Sequence, residues 1–423
     1  MRDMISTGIV WCPSIPSDWE IRRVKNCFYI SKVKAGTKNP VVLKLARSGV
    51  QVKDVTVNGG QMAESYDDYN PVQVGDLLLN PMDLYSGANC NVSEVEGVIS
   101  PAYVNLRAKE SINPFFFDYY FKIQYWTMAM FAHGKGVSYD NRWTINAESV
   151  KAYELPFPSV DEQDLIVDSI KKRSIQIDAL ITNAEKQIEK LKSYKQSVIT
   201  ETVTKGLDSD VQMKESGVEW IGEIPEHWQL SHIGNLAEIG SGGTPNRNIP
   251  EYWKDGTIPW MSSGEINLEY VNDTAEKITE EGLNNSNAKL LPKNTVMLGL
   301  IGQGKTKGLT AILNIECCCN QNLAYLIPNR FLFYKYLFYC FKAMYVYIRG
   351  IVGESQAGIY QGFLKKQYIP LPRISEQQAI SDFLNHKCSQ IDKLIALKQQ
   401  KIEKLQQYKK SLIYEYVTGK KEV

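Results

Sequence analysis

The chain has 423 residues, of which 43% are hydrophobic and 22% charged, and its formal net charge is +1. This length allows two or three domains with hydrophobic cores, and a charge near zero neither favours nor excludes nucleic-acid binding. No run approaches 18 uncharged apolar residues and the N-terminus has no apolar signal region. We therefore expect a cytoplasmic protein without a membrane span.

The cysteines and histidines predict neither a metal site nor a catalytic set. None of the eight cysteines forms a C-x-x-C pair. Cys317, Cys318 and Cys319 are consecutive, and successive side chains of a strand point to opposite faces, so they cannot share one metal ion. The four histidines have no Ser or Cys partner by spacing. We expect reduced thiols, no catalytic residue and no cofactor in this chain.

Residues 1–155 are predicted to form a first globular domain of mixed α+β structure. Short β-branched and aromatic runs broken by Gly, Pro and Asn indicate strands and turns, and 113–126 indicates an aromatic helix. Residues 21–53 contain nine Lys or Arg and no Asp or Glu. A basic segment of this kind suits phosphate contacts, for which the candidates are Lys32, Lys34 and Arg47. Chance clustering on a solvated surface is the open alternative.

Two further segments of this domain resemble functional motifs. Residues 113–116 read NPFF, close to the N-P-P-[FY] motif of adenine methyltransferases but without its second proline. The corresponding position in the other half reads NRFL at 329–332, so we assign it to a repeated scaffold and expect no methyl transfer by this chain alone. A Gly-flanked basic loop follows, and its candidate DNA-facing residues are Lys135, Ser138, Tyr139 and Arg142. A simple connecting loop is the alternative.

Residues 156–207 are predicted to form one long helix. Ser159 with Glu162 fits a capping box, and Gly206 stands where a helix C-terminus favours a left-handed residue. Apolar residues recur every three or four positions, which predicts a single apolar stripe along about 43 residues, roughly 65 Å. A lone helix of this kind is unstable in water, so the stripe needs a partner.

Residues 208–369 are predicted to form a second globular domain. It opens on the pattern G-φ-x-W…I-P-x-x-W, which also opens the first domain at Gly8. Small polar and basic groups beside Gly and Pro suit close approach to a ligand; the candidates are Thr244, Asn246, Arg247, Ser262 and Ser263.

Residues 299–306 match the phosphate-loop pattern G-x-x-x-x-G-K-[ST]. A β-like run follows, whereas a phosphate loop needs a helix whose N-terminus faces the phosphate. We therefore favour a hairpin tip that enters a DNA groove, with Gln303, Lys305, Thr306 and Lys307 as candidate contacts. A surface turn with incidental lysines remains open, as does a nucleotide-hydrolysing protein that uses this segment.

Residues 370–423 repeat the first long helix. Residues 369–418 align with 155–204 without a gap, and about 22 of 50 positions are identical. Ser375 with Gln378 fits a capping box, and Gly419 matches Gly206. If the two helices pack together, symmetry requires an antiparallel pair. The predicted fold is α+β, with two mixed domains separated by a coiled-coil-like helical spacer and related by a pseudo-two-fold axis. Packing of each helix on its own domain, or dimerisation through the helices, is the alternative.

The doubled P-x-P-x-φ-x-E-Q motif with its Ile-Asp…Ile-Glu-Lys-Leu helix, the opening at 217–228 and the segment 241–266 resemble the specificity subunit of type I restriction–modification systems. The resemblance covers essentially the whole chain. It implies two target-recognition domains, 1–155 and 208–369, that read two DNA half-sites, and two conserved helices, 156–207 and 370–423, that set their spacing.

The resemblance also implies partners and a division of labour. Double-stranded DNA, two methyltransferase subunits and restriction subunits are the implied partners. S-adenosylmethionine, ATP and Mg²⁺ are expected only on those subunits. Besides the nucleotide-hydrolysing alternative, a coiled-coil assembly protein without a DNA role stays open.

Overall fold

The computed structural model describes residues 2–423 except 37–39, 56–64, 83, 86–88, 110, 137–142, 302–305 and 353–357. Contacts divide the chain into two compact units. Unit 1 consists of residues 1–184 and 400–423, and unit 2 of residues 185–399. Both divisions fall inside long helices, so each unit contains part of each predicted helix.

The elements from the N-terminus to the first long helix are short strands interrupted by three helices. In chain order they are β1 (Met4–Ile9), β2 (Cys12–Pro16), β3 (Glu20–Arg23), α1 (Val24–Cys27), β4 (Phe28–Ile30), β5 (Leu43–Ala46), β6 (Gly49–Val52), β7 (Asn70–Val72), β8 (Leu77–Leu79), β9 (Cys90–Val92), β10 (Gly97–Ile99), β11 (Val104–Ala108), α2 (Pro114–Trp126), a 3₁₀ turn (Met130–His133), α3 (Ala147–Ala152), β12 (Glu154–Phe157) and α4 (Val160–Lys205).

The remaining elements follow a similar plan. They are β13 (Met213–Glu215), β14 (Glu223–Pro225), β15 (Gln229–His232), α5 (Ile233–Leu236), β16 (Ala237–Ser241), a 3₁₀ turn (Pro250–Tyr252), β17 (Ile258–Met261), a 3₁₀ helix (Ser263–Leu268), β18 (Tyr270–Val271), β19 (Glu276–Ile278), α6 (Glu280–Asn284), β20 (Val296–Gly299), β21 (Thr310–Leu313), β22 (Cys318–Cys319), β23 (Leu323–Pro328), α7 (Tyr334–Val352), α8 (Gln361–Lys365), β24 (Tyr368–Leu371) and α9 (Ile374–Val417).

The largest sheets of the two units have the same strand order. Unit 1 has β4-β11-β8-β9, and unit 2 has β16-β23-β20-β21 with β18 added at the end. The pairs are antiparallel except for β18 with β21. The predicted mixture of helices and sheets is confirmed.

The predicted aromatic helix at 113–126 is α2, α7 is its counterpart in unit 2, and each fills the core of its unit. Phe116, Phe121 and Tyr120 of α2 are fully buried with the strands of unit 1, and α7 buries Tyr336 and Phe341 in the same way in unit 2. The large apolar area of these rings makes each helix a main source of the stability of its unit.

Asn113, the first residue of the NPFF motif, has a structural role. Its side-chain Oδ1 accepts a hydrogen bond from the Phe115 N–H at 3.0 Å and caps α2. In unit 2 the Asn329 Oδ1 accepts from the Phe331 N–H at 3.0 Å. The position therefore belongs to the repeated scaffold, as predicted.

The long helices pack antiparallel within each unit. In unit 1 the Lys409 ammonium lies 2.7 Å from the Asp178 carboxylate, and Arg173 lies over the Tyr416 ring. In unit 2 the Lys195 ammonium lies 2.7 Å from the Asp392 carboxylate, and Lys398 donates to Gln187. The residue number rises along one helix as it falls along the other, so the two helices run antiparallel. The repeat aligns Asp178 with Asp392 and Lys195 with Lys409, so both units contain the same cross-helix ion pair.

The glutamate of the repeated E-Q motif joins each long helix to its domain. In unit 1 the Trp19 Nε1–H donates to Glu162 at 2.9 Å, and in unit 2 the Trp228 Nε1–H donates to Glu376 at 3.0 Å. Both indoles are buried. The neighbouring glutamine joins α4 to the residue that precedes α2, because the Gln163 side chain accepts from the Asn113 N–H at 2.9 Å.

The ends of the long helices match the sequence prediction only in part. Gly206 and Gly419 have φ values of +80° and +67°, as a left-handed C-terminal residue requires. The Ser159 hydroxyl accepts from the Glu162 N–H at 3.3 Å, but the Glu162 carboxylate binds Trp19 and Arg2 instead of completing a capping box. The predicted box at Ser375 is wrong, because α9 already begins at Ile374.

Candidate nucleic-acid interface

The candidate residues gather at one edge of each main sheet. In unit 2, Ser241 at the end of β16 faces Ala324 near the start of β23, and Gly299 at the end of β20 faces Leu323. In unit 1 the register of β4, β11 and β8 brings the corresponding ends together. We call these the loop edges, since the connections that follow β4 and β8, or β16 and β20, start there.

A polar cleft of about 640 Å³ opens at the loop edge of unit 2. No charged residue is found among the residues that line it in the described part of the chain. We call it the amide cleft, and its lining residues are Gly242, Gly243, Thr244, Asn246, Asn284, Asn285, Ser286, Asn287 and Gln321. Side-chain amides both donate and accept hydrogen bonds, as do the edges of nucleobases.

Two glycines allow the walls of the amide cleft to touch. A Cβ on Gly242 would lie 1.9 Å from the Cys319 carbonyl oxygen, and one on Gly243 would lie 2.4 Å from the Asn287 carbonyl carbon. The Gly243 N–H donates to the Cys319 carbonyl at 2.9 Å, and the buried Trp260 Nε1–H donates to the Gly243 carbonyl at 2.9 Å. The floor is therefore fixed to the core of unit 2.

We predict that Gly242→Ala lowers the free energy of unfolding of unit 2 by about 1–3 kcal/mol, because the added methyl group overlaps backbone atoms of Cys319 in β22. Urea denaturation of the full chain measures this change. Gly362→Ala is the matched control, since no atom lies within 4 Å of its Cβ position and alanine favours the helix α8. Equal stability of the two variants would contradict the close approach.

The predicted residues of the 241–266 segment fall into two groups. Thr244 and Asn246 line the amide cleft. Arg247 instead forms an ion pair with Glu276, with 2.9 Å between one nitrogen–oxygen pair, and its guanidinium lies 3.9 Å from the Trp253 ring centroid. The ion pair holds the pKa of Glu276 below its usual value.

Ser262 and Ser263 lie outside the amide cleft. The Ser262 hydroxyl donates to the Glu265 carboxylate at 2.8 Å, and Ser262 caps the 3₁₀ helix that begins at Ser263. The structure thus gives Ser262 a capping role that sequence alone did not predict.

The motif at 299–306 lies in a connection between antiparallel strands. β20 ends at Gly299 and pairs with β21, which begins at Thr310, so a strand follows the motif instead of the helix that a phosphate loop requires. Gln303 and Lys305 lie outside the described residues. The Thr306 hydroxyl donates to the Ile301 carbonyl at 3.2 Å. The prediction that Lys307 extends from a hairpin tip is wrong, because this residue is only 8% exposed.

A second cleft, of about 390 Å³, opens at the loop edge of unit 1. We call it the lysine cleft, after Lys32 and Lys34 in its lining. The Lys34 ammonium lies 2.6 Å from the Asp68 carboxylate, which raises the pKa of the lysine, while Pro101 and Tyr103 add apolar surface. Part of the predicted basic segment therefore does line a cleft.

The other candidates of unit 1 lie near the same edge. Arg47 is exposed in the turn between β5 and β6, and the neighbouring Ala46 carbonyl accepts from the Asn89 side-chain amide at 2.7 Å. Lys135 is exposed, and its N–H donates to the Thr144 carbonyl at 2.8 Å. Ser138, Tyr139 and Arg142 lie outside the described residues.

The two clefts occupy the same place in the two topologies but differ in chemistry. In unit 1 the cleft lies between residues 31–34, which follow β4, and residues 101–103, which precede the neighbouring strand β11. In unit 2 it lies between residues 242–246, which follow β16, and residue 321, which precedes the neighbouring strand β23. The first cleft offers lysines, proline and tyrosine, and the second offers amides and hydroxyls. Equivalent sites with different linings can bind different ligands.

Sequence reasoning missed the amides at 284–287 and Gln321. Two short runs carried the signal, NNSN at 284–287 and NQN at 320–322. Both runs also suit turns, because Asn favours turn conformations, and this explains why they did not stand out.

Other kinds of site find no support in the part of the chain that the structure describes. No group of three or more His, Cys, Asp or Glu side chains there is arranged to hold a metal ion. No helix among those residues is long and apolar enough to cross a bilayer. The eight cysteines are free and buried, and burial raises the pKa of Cys12 and Cys318 to about 11.

Residues 225–407 match the family model described as the type I restriction modification DNA specificity domain. Curated relatives include the MjaIX specificity subunit of Methanocaldococcus jannaschii, 32% identical over 44% of this chain, and the EcoR124I/EcoR124II specificity subunit of Escherichia coli, 29% identical over 42%. Each of these alignments spans 43% of the relative's own length. The MjaVIII specificity subunit of M. jannaschii aligns at 25% identity over 96% of this chain and 93% of that protein.

Solved structures share the fold. One, from a study of complex assembly and conformational transition of the type I R-M system, has a TM-score of 0.74 at 16% identity and covers 96% of this chain and 99% of its own. The HsdS subunit from Thermoanaerobacter tengcongensis has a TM-score of 0.55 at 15% identity, covering 96% and 98%.

Proposed function

We propose that this chain is the DNA sequence-recognition subunit of a type I restriction–modification complex. The family model over 225–407 and the specificity subunits among its relatives confirm the resemblance predicted from the repeated motifs. The chain reads an asymmetric bipartite target, with one recognition domain for each half-site. It contributes no catalytic step.

The difference between the two clefts is the observation that carries this proposal. A duplicated chain with two identical clefts would suit a symmetric target, as dimeric DNA readers do. Here the topology is repeated while the lining differs, with lysines in one unit and amides in the other. This difference favours two unlike half-sites. Lys32 suits a phosphate, whereas Lys34 is paired with Asp68, and the amides of the other cleft suit base edges.

The long helices provide equivalent docking surfaces for two methyltransferase subunits. The repeat aligns Leu180 with Leu394, which are 47% and 48% exposed, and Tyr194 with Tyr408, which are 48% and 51% exposed. Unit 1 carries Leu180 and Tyr408, and unit 2 carries Leu394 and Tyr194. Exposed apolar groups at matched positions suit two copies of one partner.

The family resemblance extends the proposal to the rest of the complex. The two long helices set the distance between the half-sites as a pseudo-two-fold spacer, and restriction subunits join the assembled complex. S-adenosylmethionine, ATP and Mg²⁺ bind to those partners. The complex acts in the cytoplasm, where its DNA target lies.

Adenine-methylation mapping tests the proposal. The chain is co-expressed with its methyltransferase subunits in a host that lacks other adenine methylation, and the genome is sequenced with base-modification detection. Methylation at one asymmetric bipartite motif, absent when this chain is omitted, is the expected result. A symmetric motif would contradict the two unlike readers. A stable complex without sequence-specific methylation would favour the alternative of a coiled-coil assembly protein.

A further inference from the structure

We propose that Gln321 reads an adenine in the half-site bound by unit 2, and that Thr244 positions its amide for this contact. The inference rests on the proposed function and adds to it the residue pair and the base that the pair selects. The base in question is not the adenine to be methylated, because that base must leave the helix to reach a methyltransferase.

Gln321 lies at the tip of a turn that is held firmly at its base. The Leu323 N–H donates to the Asn320 carbonyl at 3.2 Å, and the Asn322 N–H donates to the Asn320 side chain at 3.1 Å. The Asn320 N–H in turn donates to the Met261 carbonyl at 3.1 Å. Gln321 itself is exposed while Asn320 is buried, so the turn presents one amide from a rigid support.

Thr244 fixes the orientation of that amide. Its hydroxyl donates to the Gln321 Oε1, and this bond directs the oxygen of the amide toward Thr244. The carbonyl oxygen has a second lone pair, and the Nε2 group keeps its donors. An amide with one free acceptor and a donor can pair with N6 and N7 of adenine in the major groove.

The rest of the amide cleft suits this reading better than a phosphate contact. Its lining contains no lysine or arginine in the described part of the chain, so it lacks the groups that draw phosphates. Arg247, the nearest candidate cation along the chain, is engaged with Glu276 and Trp253. The floor at Gly242 and Gly243 admits a close approach to the backbone.

The test uses methylation mapping of the assembled complex with variants of the full chain. Gln321→Ala is expected to lower the preference for adenine at one position of one half-site by roughly 10- to 100-fold, with the other half-site unchanged. Gln321→Glu keeps the size of the side chain but cannot donate to N7 of adenine and accepts from N4 of cytosine. We expect it to move the preference at that position from adenine toward cytosine.

Thr244 variants test the positioning role. Thr244→Val removes the hydroxyl and is expected to relax the same position as Gln321→Ala, whereas Thr244→Ser keeps the hydroxyl and is expected to restore the wild-type preference. A purely steric role for Thr244 predicts the reverse order, because valine is closer to threonine in shape. Asn314→Ala is the matched control, since this exposed amide follows β21 at the opposite edge of the same sheet.

The outcomes separate the inference from the function on which it rests. An unchanged motif with Gln321→Ala and Gln321→Glu, or equal relaxation in both half-sites, would overturn the role of Gln321 and leave the recognition subunit intact. A wild-type complex that assembles but methylates no specific motif would overturn both. Retention of the motif by Thr244→Val would remove Thr244 from the proposal.

Discussion

Trp228→Ala is expected to lower the free energy of unfolding of unit 2 by about 3–5 kcal/mol, the usual cost of removing a fully buried aromatic side chain. The Trp228 side chain is 0% exposed, and a Cβ on Gly206 would lie 3.1 Å from its ring. The ring thus fills the space between the end of α4 and the start of α9. Its loss leaves a cavity there and also leaves Glu376 without the indole donor.

Chemical denaturation measures the change, and hydrogen exchange shows where it acts. Faster exchange is expected in α5, β15 and the parts of α4 and α9 that belong to unit 2. Glu376→Gln keeps an acceptor for the indole and serves as the control, with a loss near 1 kcal/mol for the weaker hydrogen bond. A similar small loss for Trp228→Ala would mean that the ring does not support the core.

Under the proposed function, removal of seven residues from each long helix is expected to shorten the spacer between the two half-sites by about three base pairs. Seven residues of helix span about 10 Å, and one base pair of duplex rises about 3.4 Å. The deletions are 184–190 in α4 and 397–403 in α9, which contain the hydrogen-bonded pair Gln187 and Lys398. A loss of seven residues keeps the apolar stripes facing each other, because the stripe recurs with nearly that period.

Methylation mapping of the double-deletion variant gives the spacer length directly. Deletion of 208–210, in the connection between α4 and β13, is the control and should leave the motif unchanged. If the half-sites kept their separation after both helices were shortened, the spacer would be set by another part of the chain.

The long helices, the mixed globular parts and the aromatic helices were predictable because local periodicity determines them. An apolar residue every three or four positions defines α4 and α9 without reference to the rest of the chain. The duplication also indicated the antiparallel packing, since equivalent helices in one chain can pair symmetrically. The E-Q motif itself was visible, but its indole partners lie more than 140 residues away, at Trp19 and Trp228.

The candidate site was less predictable because tertiary contacts decide which polar groups face solvent. The charge of Arg247 and its Gly- and Pro-containing surroundings suit a DNA contact, but Glu276, 29 residues later, binds its guanidinium. Lys307 follows a Gly-rich segment and still lies buried. Gln321 and Asn287 reach the same cleft only because Gly242 and Gly243 let three separate segments meet. No local pattern in the sequence encodes that meeting.

The composition of unit 1 has a consequence for the order in which the protein folds during synthesis. Its core includes Ile166 and Ile170 near the start of α4 together with Leu412, Ile413 and Tyr416 near the end of α9. At about 5–20 residues per second, the ribosome needs roughly 10–50 s to make the residues between these two groups. Unit 2 is a continuous segment, and its synthesis is complete before that of unit 1, which includes residues 400–423. The part made first is therefore completed last, because its core lacks the side chains from the end of α9 until synthesis reaches them.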